Sequence, residues 1–171
     1  GAISGKTKAI MPVHYAGQPV DVDGVLKAAG DVPVVFDAAH AIGAEYKGRP
    51  VGQFGRATCF SFYATKNVTT GDGGAVVTDD GGLAEELRLL RLHGLSRDAW
   101  KLYGSGGSWS YDVVRAGYKS NLTDIQAALG VVQLGRLEEF TRRRRETAEL
   151  YRELLGDFDF IELPKEKGGR K

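Results

Sequence analysis

The sequence predicts an α/β fold with a mixed, mostly parallel sheet, flanking helices and a long connecting helix after the sheet. Three observations lead to this prediction. Apolar runs typical of strands alternate with amphipathic stretches over residues 8–92. One of these runs, 33–37, is apolar at successive positions until it ends at Asp37, as in a strand that is covered on both faces. A proline-free stretch with helical periodicity then extends over 123–155.

The elements follow in order along the chain. Strands are predicted at 8–13, 33–37, 57–62 and 74–78. A helix is predicted over 24–29 behind an acidic pair, and another over 83–92, where Asp79 and Asp80 can cap the first turn. Residues 95–118 lack periodicity, so we expect a long loop there.

The last predicted helix, 123–155, would be on the order of 50 Å long, which exceeds the width of a domain of this size. We therefore expect it to kink near Gly130 or Gly135, or to pack on something absent from this chain. The chain is interpreted as a piece of a larger protein. Its predicted organisation is a partial large domain at 1–120, a long interdomain helix at 121–160 and a tail at 161–171.

The charge and cysteine counts exclude several classes of function. The 23 basic and 22 acidic residues give a net charge of +1, so no overall field attracts nucleic acid or an acidic membrane. Cys59 is the single cysteine, and no uncharged run approaches the ~18 residues of a membrane span. The three histidines lie far apart in sequence, so no metal site is predicted. We expect a soluble cytoplasmic protein without a nucleic-acid or membrane partner.

The densest cluster of chemically useful side chains is Ser61–Asn67, which places Lys66 in a turn just beyond a buried strand. Partial desolvation there would favour the neutral amine, which is a nucleophile toward carbonyl groups and a general base. An ordinary exposed loop lysine is the simpler alternative. The glycines at 71–74 do not fit a phosphate-binding fingerprint, because position 76 is valine and Asp72 would repel a phosphate.

A second cluster, Asp37–His40, ends a different predicted strand at the same sheet edge as Lys66. A carboxylate in this place can hold a pyridinium nitrogen protonated, and His40 could hydrogen-bond to a ring or stack on it. A capping aspartate and a packed histidine are the alternative.

These clusters belong to a series of motifs whose order and spacing are specific, although each motif is modest alone. The motifs are Ile10–Gly17, Phe36–Ala41, Tyr46–Gly48, Phe60–Asn67, Gly71–Gly74, Leu90–Gly94 and Gly117–Ala128. With this series the chain resembles the DegT/DnrJ/EryC1/StrS sugar aminotransferases, which are fold-type I enzymes dependent on pyridoxal 5'-phosphate (PLP). The variants at 14–17 and 117–121 are most similar to the branch that aminates 4-keto nucleotide sugars.

The resemblance implies a role for each clustered residue. Lys66 is implied to be the Schiff-base lysine and Asp37 the partner of the pyridine nitrogen, while His40 contacts the cofactor near its ring hydroxyl and Ser61 binds its phosphate. The implied reaction moves an amino group from glutamate to the keto group of a nucleotide sugar.

The resemblance also implies a homodimer with shared active sites. In the family, the glycine that matches Gly117 is usually followed by Tyr-Asn, and this asparagine reaches the phosphate of the neighbouring subunit. Lys119 occupies that position here and Asn121 lies two residues further on, so either could make the contact, and we favour Asn121.

Other classes remain as alternatives. A non-catalytic regulatory or structural homologue and a sugar 3-dehydrase are both disfavoured by Lys66, because the dehydrases carry histidine in its place. A generic nucleotide-binding domain is disfavoured by the failed glycine fingerprint. Family members are also much longer, so the resemblance implies that other parts of the phosphate cradle and a small domain lie outside this chain.

Overall fold

The computed structural model describes residues 2–95 and 112–170, and the predicted loop at 95–118 lies largely outside these ranges. The described residues form two compact units. The first unit combines the chain up to Val77 with the chain from Asp124 onward, and the second lies between Thr78 and Thr123. All the elements that carry the sheet belong to the first unit.

Between the first two helices the described chain forms five short strands, so helices and strands alternate less regularly than predicted. The elements are α1 (Val22–Ala29), β1 (Val35–Asp37), β2 (Glu45–Tyr46), β3 (Arg49–Pro50), β4 (Ala57–Ser61), β5 (Gly74–Val77), α2 (Gly81–Leu90), α3 (Asp124–Gly135) and α4 (Leu137–Leu155). Two short 3-10 turns cover Tyr15–Gly17 and Val51–Gln53. The small hairpin of β2 and β3 was not predicted as strands, because its two-residue strands are too short to give a periodic pattern.

The main sheet has the order β1-β4-β5 and is mixed, in agreement with the predicted fold class. β4 runs parallel to β1, with Asp37 opposite Cys59, and antiparallel to β5, with Ser61 opposite Gly74. The predicted strand at 8–13 is reduced to two isolated parallel bridges, at Ile10 and Val13, to the chain at and just before β1.

The core lies between α1 and β1. Val22, Ala29, Val34, Phe36 and Tyr46 form one buried cluster, and Val22 and Phe36 have no exposed surface. Each buried side chain of this size contributes roughly 1.5–3 kcal/mol through removal of apolar surface from water. This packing fixes β1, and therefore the end of β1 where Asp37 lies.

The long predicted helix is two helices. α3 ends at Gly135, Arg136 leaves the helical region with φ −104° and ψ 5°, and α4 begins at Leu137. The break therefore falls at one of the two glycines expected to allow a kink. Gly130, the other one, lies buried inside α3 and does not interrupt it.

Candidate active site

The predicted catalytic residues, which belong to the first unit, lie at one edge of the sheet. Because β1 and β4 are parallel and in register, their carboxyl ends meet at the same edge. Asp37 is the last residue of β1 and Ser61 the last of β4. Lys66 lies in the connection 62–73, which leaves β4 at this edge and returns to it at the start of β5. Ligands of open α/β sheets bind at such an edge.

The turn that carries Lys66 is fixed by backbone hydrogen bonds. The Lys66 amide donates to the Tyr63 carbonyl at 3.0 Å, and the Thr70 amide donates to the Phe62 carbonyl at 2.9 Å. Val68, between them, has no exposed surface. The Lys66 side chain is half-buried and not a freely solvated loop lysine. The turn therefore fixes the backbone of Lys66 at this edge, where the residue is partly removed from water.

Helix α3 packs against the same connection. This contact was not predicted from the sequence. The Gln126 side-chain amide donates to the Asp72 carbonyl at 3.0 Å. Gly130 is buried, and a β-carbon at that position would lie 3.1 Å from the Thr70 methyl group. The signal available in the sequence was a glycine in the middle of a good helix, which indicates close packing as readily as a kink.

Asp37 is held by its backbone and by one carboxylate oxygen. Its amide donates to the Pro12 carbonyl and its carbonyl accepts from the His14 amide, both at 2.9 Å. Oδ1 accepts from the Ala39 amide at 2.9 Å in a tight turn, so Asp37 caps that turn and no helix. Among the described residues no donor is bonded to Oδ2. The carboxylate is thus oriented while one oxygen is left to accept from a ligand.

The charge of Asp37 acts on the neighbouring strand. Burial raises the pKa of the Cys59 thiol, and the negative charge of Asp37 raises that pKa further. A thiol with a raised pKa stays protonated at neutral pH and is a poor nucleophile. Cys59 is therefore best interpreted as a packing residue.

His40 is exposed and is supported by the turn Tyr15–Gly17. Its Nδ1 accepts from the Ala16 amide at 3.3 Å. The Tyr15 ring lies edge-on to the imidazole, with ring centroids 6.1 Å apart. His40 is therefore oriented from one side, as expected of a residue that contacts a ligand, and not packed into the core.

His14 is the buried histidine of this region, and its burial was not predicted from the sequence. It has no exposed surface and stacks on Phe36, with centroids 5.0 Å apart. Nδ1 accepts from the Val20 amide at 3.1 Å, while Nε2 has no partner among the described residues. Burial lowers the pKa of His14, and the charge of Asp37 opposes this effect.

Ser61 has the chemistry of a phosphate ligand. Its Oγ accepts from the Tyr63 amide at 3.3 Å. The hydroxyl keeps its own hydrogen to donate, because a serine hydroxyl carries one donor besides its acceptor lone pairs.

Lys119 and Asn121 belong to the second unit, whereas the residues of the sheet edge belong to the first. The Lys119 ammonium group donates to Oδ1 of Asn121, and Lys119 forms an isolated antiparallel bridge with Leu92. The structure therefore brings these two predicted residues together with each other. Their proposed contact with a phosphate of another subunit stays a prediction.

Nowhere in 2–95 or 112–170 do three or more histidine, cysteine, aspartate or glutamate side chains gather closely enough to bind a metal ion. Within the same ranges, no helix is both long and apolar enough to cross a membrane.

The mixed sheet, its helices and the lysine beyond a parallel strand define part of a PLP-dependent transferase fold. The model of the DegT/DnrJ/EryC1/StrS aminotransferase family matches residues 1–170. The chain belongs to this family, as its motifs indicated.

Curated relatives support the assignment. The chain is 53% identical over 165 residues to the uncharacterized protein MJ1066 of Methanocaldococcus jannaschii, covering 95% of this chain and 43% of that protein. It is 51% identical over 152 residues to the spore coat polysaccharide biosynthesis protein SpsC of Bacillus subtilis, covering 88% of this chain and 39% of SpsC. The chain thus spans less than half the length of either relative.

Solved structures agree with the fold. The PLP form of the sugar aminotransferase Spr1654 from Streptococcus pneumoniae has a TM-score of 0.84 at 34% identity, over 99% of this chain and 46% of that one. DesV from S. venezuelae, solved in complex with a ketimine intermediate, has a TM-score of 0.87 at 37% identity, over 99% of this chain and 43% of that one.

Proposed function

We propose that this chain is part of a PLP-dependent sugar aminotransferase that transfers an amino group from glutamate to a nucleotide-linked keto-sugar, preferentially of the 4-keto type. Family membership and the relatives' sugar chemistry support the proposal. The observation that carries it is the placement of Asp37 and the Lys66 turn at one edge of the sheet.

The side chains at this edge match the chemical groups of PLP. A protonated pyridine nitrogen needs an anionic acceptor, and Asp37 has one carboxylate oxygen without a described donor. A phosphate needs donors, and the Ser61 hydroxyl has a hydrogen to give. A carbonyl carbon needs an amine, which Lys66 supplies. When bound, PLP supplies an electron sink for the carbon from which a proton is removed.

Each residue then has a defined task. Asp37 holds a proton on the ring nitrogen, because a carboxylate next to a pyridinium favours its charged form. The amine of Lys66 takes the α-proton from glutamate and returns it during transfer, a general base step that contributes typically 10²–10⁴-fold. Ser61 binds the phosphate, and His40 contacts the ring near its hydroxyl.

We further propose that the complete enzyme is a cytoplasmic homodimer and that this chain is one piece of it. Asn121 or Lys119 would then reach the phosphate bound by the partner subunit. A charge-assisted hydrogen bond of this kind contributes roughly 1.5–3 kcal/mol.

Borohydride labelling of the full-length protein tests the role of Lys66. Reduction in the presence of PLP, followed by peptide mapping, should place the cofactor on Lys66. Lys66→Arg should abolish the label, whereas Lys47→Arg, a matched change at an exposed lysine paired with Asp23, should retain it. A label on another lysine would contradict the assignment, and a folded protein that takes no label would favour the non-catalytic homologue.

Asp37→Asn tests the electrostatic role of the carboxylate. The amide keeps the shape of the side chain and removes the charge that stabilises the pyridinium. PLP should still bind, but the single-turnover reaction with glutamate should slow by about 10³-fold or more, since the electron sink is weakened. Asp31→Asn, an exposed change just before β1, is the control. A normal rate for Asp37→Asn would refute the role.

A further inference from the structure

The turn Tyr15–Gly17 has a backbone conformation that side chains rarely adopt. Ala16 has φ 53° and ψ 24°, in the left-handed region, although it is not a glycine. Gly17 follows with φ 84°. Residues held in this region are destabilising on their own and persist where surrounding structure imposes them, which is common at ligand sites.

Both ends of the turn are anchored beside Asp37. The His14 amide donates to the Asp37 carbonyl, and the His14 side chain accepts from the Val20 amide on the far side of the turn. Gly17 donates to the His14 carbonyl at 3.2 Å. The buried imidazole of His14 thus holds the base of the turn against β1, and this packing can maintain the unusual conformation of Ala16.

The conformation of Ala16 directs its amide to His40. The amide lies 3.3 Å from Nδ1 of His40 and donates to it. The turn also approaches the backbone of His40, since a β-carbon on Gly17 would lie 3.1 Å from the His40 carbonyl oxygen. A neutral imidazole whose Nδ1 accepts a hydrogen bond carries its proton on Nε2. In the described residues nothing accepts a hydrogen bond from Nε2.

We propose that the Ala16 amide is a positioning group that keeps Nδ1 of His40 as an acceptor and the proton on Nε2, so that His40 offers one donor to the hydroxyl oxygen of the cofactor ring. The inference rests on the proposed function for the identity of the ligand. The turn itself requires no cofactor, so its effect on His40 exists in the free protein.

Nuclear magnetic resonance of the free full-length protein tests the hydrogen bond from the Ala16 amide to Nδ1 of His40 directly. In ¹⁵N-histidine-labelled protein, the His40 signals, identified by their loss in His40→Gln, should show the proton on Nε2. The exposed Ala16 amide should exchange about tenfold faster in His40→Phe, which has no acceptor, and remain protected in His40→Gln, whose carbonyl oxygen can replace Nδ1.

Gly17→Ala is the test within the turn. A β-carbon there is strained at φ 84° and lies 3.1 Å from the His40 carbonyl, so the turn should shift and Ala16 exchange should rise as in His40→Phe. Gly48 has a similar φ of 77° with open space around it. Gly48→Ala should therefore leave the His40 nitrogen signals and the Ala16 exchange rate unchanged. A proton on Nδ1 of His40, or equal Ala16 exchange in the wild type and His40→Phe, would overturn the inference.

The PLP affinity of the same variants tests whether the hydrogen bond from Ala16 to His40 contributes to cofactor binding. His40→Gln should bind PLP within about threefold of the wild type, whereas His40→Phe and Gly17→Ala should bind it about tenfold more weakly. Absence of PLP binding by the wild type would contradict the proposed function, while the resonance experiments would still decide the inference. Equal PLP affinity in all variants would overturn the part of the inference that concerns the cofactor.

Discussion

At the scale of single residues, two histidines of similar local sequence have opposite environments. His14 is fully buried and stacked on Phe36, and His40 is exposed beside the Ala16 amide. Periodicity did not separate them, because both follow an apolar run and neither lies in a regular helix. The backbone after Val13 places the His14 ring in the core, where it stacks on Phe36, and leaves the His40 ring outside it.

The burial of His14 makes stability depend on pH. Burial lowers its pKa from 6.5, so the unfolded chain binds the proton more readily than the folded one. The free energy of unfolding should therefore fall as pH decreases through about 6.5 and should level off below the folded-state pKa. Urea unfolding between about pH 8 and pH 5 measures this effect.

His14→Asn provides the matched variant for the pH experiment. Its side-chain oxygen can replace Nδ1 as the acceptor for Val20, but it does not titrate. We expect lower stability at pH 8, because stacking on Phe36 is lost, and a flatter dependence on pH. A variant with the same pH slope as the wild type would assign the acid sensitivity to other groups.

At the scale of elements, helix α3 is a support for the lysine-bearing connection. Gly130→Leu should force Thr70 away from the helix and cost roughly 1–3 kcal/mol of unfolding free energy through overpacking. Transamination should fall as well, because Thr70 donates to the turn that carries Lys66. Denaturant unfolding and single-turnover rates measure the two effects.

Gly135→Leu is the control for that substitution. The position also lies in α3, but nothing lies within 4 Å of an added β-carbon. Leucine is a better helix former than glycine, so stability should stay equal or rise by up to ~1 kcal/mol. Equal losses for both variants would show that the effect comes from the helix and not from its contact with Thr70.

The elements also show what could be predicted from the sequence. The end of β1 was predictable, because its apolar run stops at Asp37, whereas β4 was predicted one residue too long, to 62 instead of Ser61. Both predicted strands nevertheless placed Asp37 and Lys66 at one edge of the sheet. The contact of Gly130 and the left-handed Ala16 were not predictable. Each depends on the approach of distant segments, and no local preference of alanine or helical glycine indicates it.

For the assembled enzyme, the proposed shared site predicts that two inactive variants can complement each other. Lys66→Ala and the double variant Lys119→Ala with Asn121→Ala should each be inactive as full-length homodimers. When subunits exchange, a mixed dimer has one wild-type site, so activity should return to at most about a quarter of the wild-type value if subunits pair at random.

The control is the same mixture under conditions that prevent subunit exchange, which should stay inactive. Mixed dimers without activity would mean that Lys119 and Asn121 serve their own subunit. The exposed apolar side chains Ile125, at 85% exposure, and Val132, at 61%, are seven residues apart in α3 and mark a face that the described part of the chain does not cover.

The antiparallel direction of β5 determines how far the Lys66 amine can travel. A parallel β5 would require a crossover to the opposite edge of the sheet, usually through a helix. Because β5 pairs Gly74 with Ser61, the connection 62–73 starts and finishes at the edge where Asp37 lies. The backbone that carries the amine is therefore attached to this edge on both sides. The effective concentration of the amine toward a carbonyl carbon at this edge is therefore expected to reach at least the millimolar range that short flexible tethers provide, before any bonding interaction contributes.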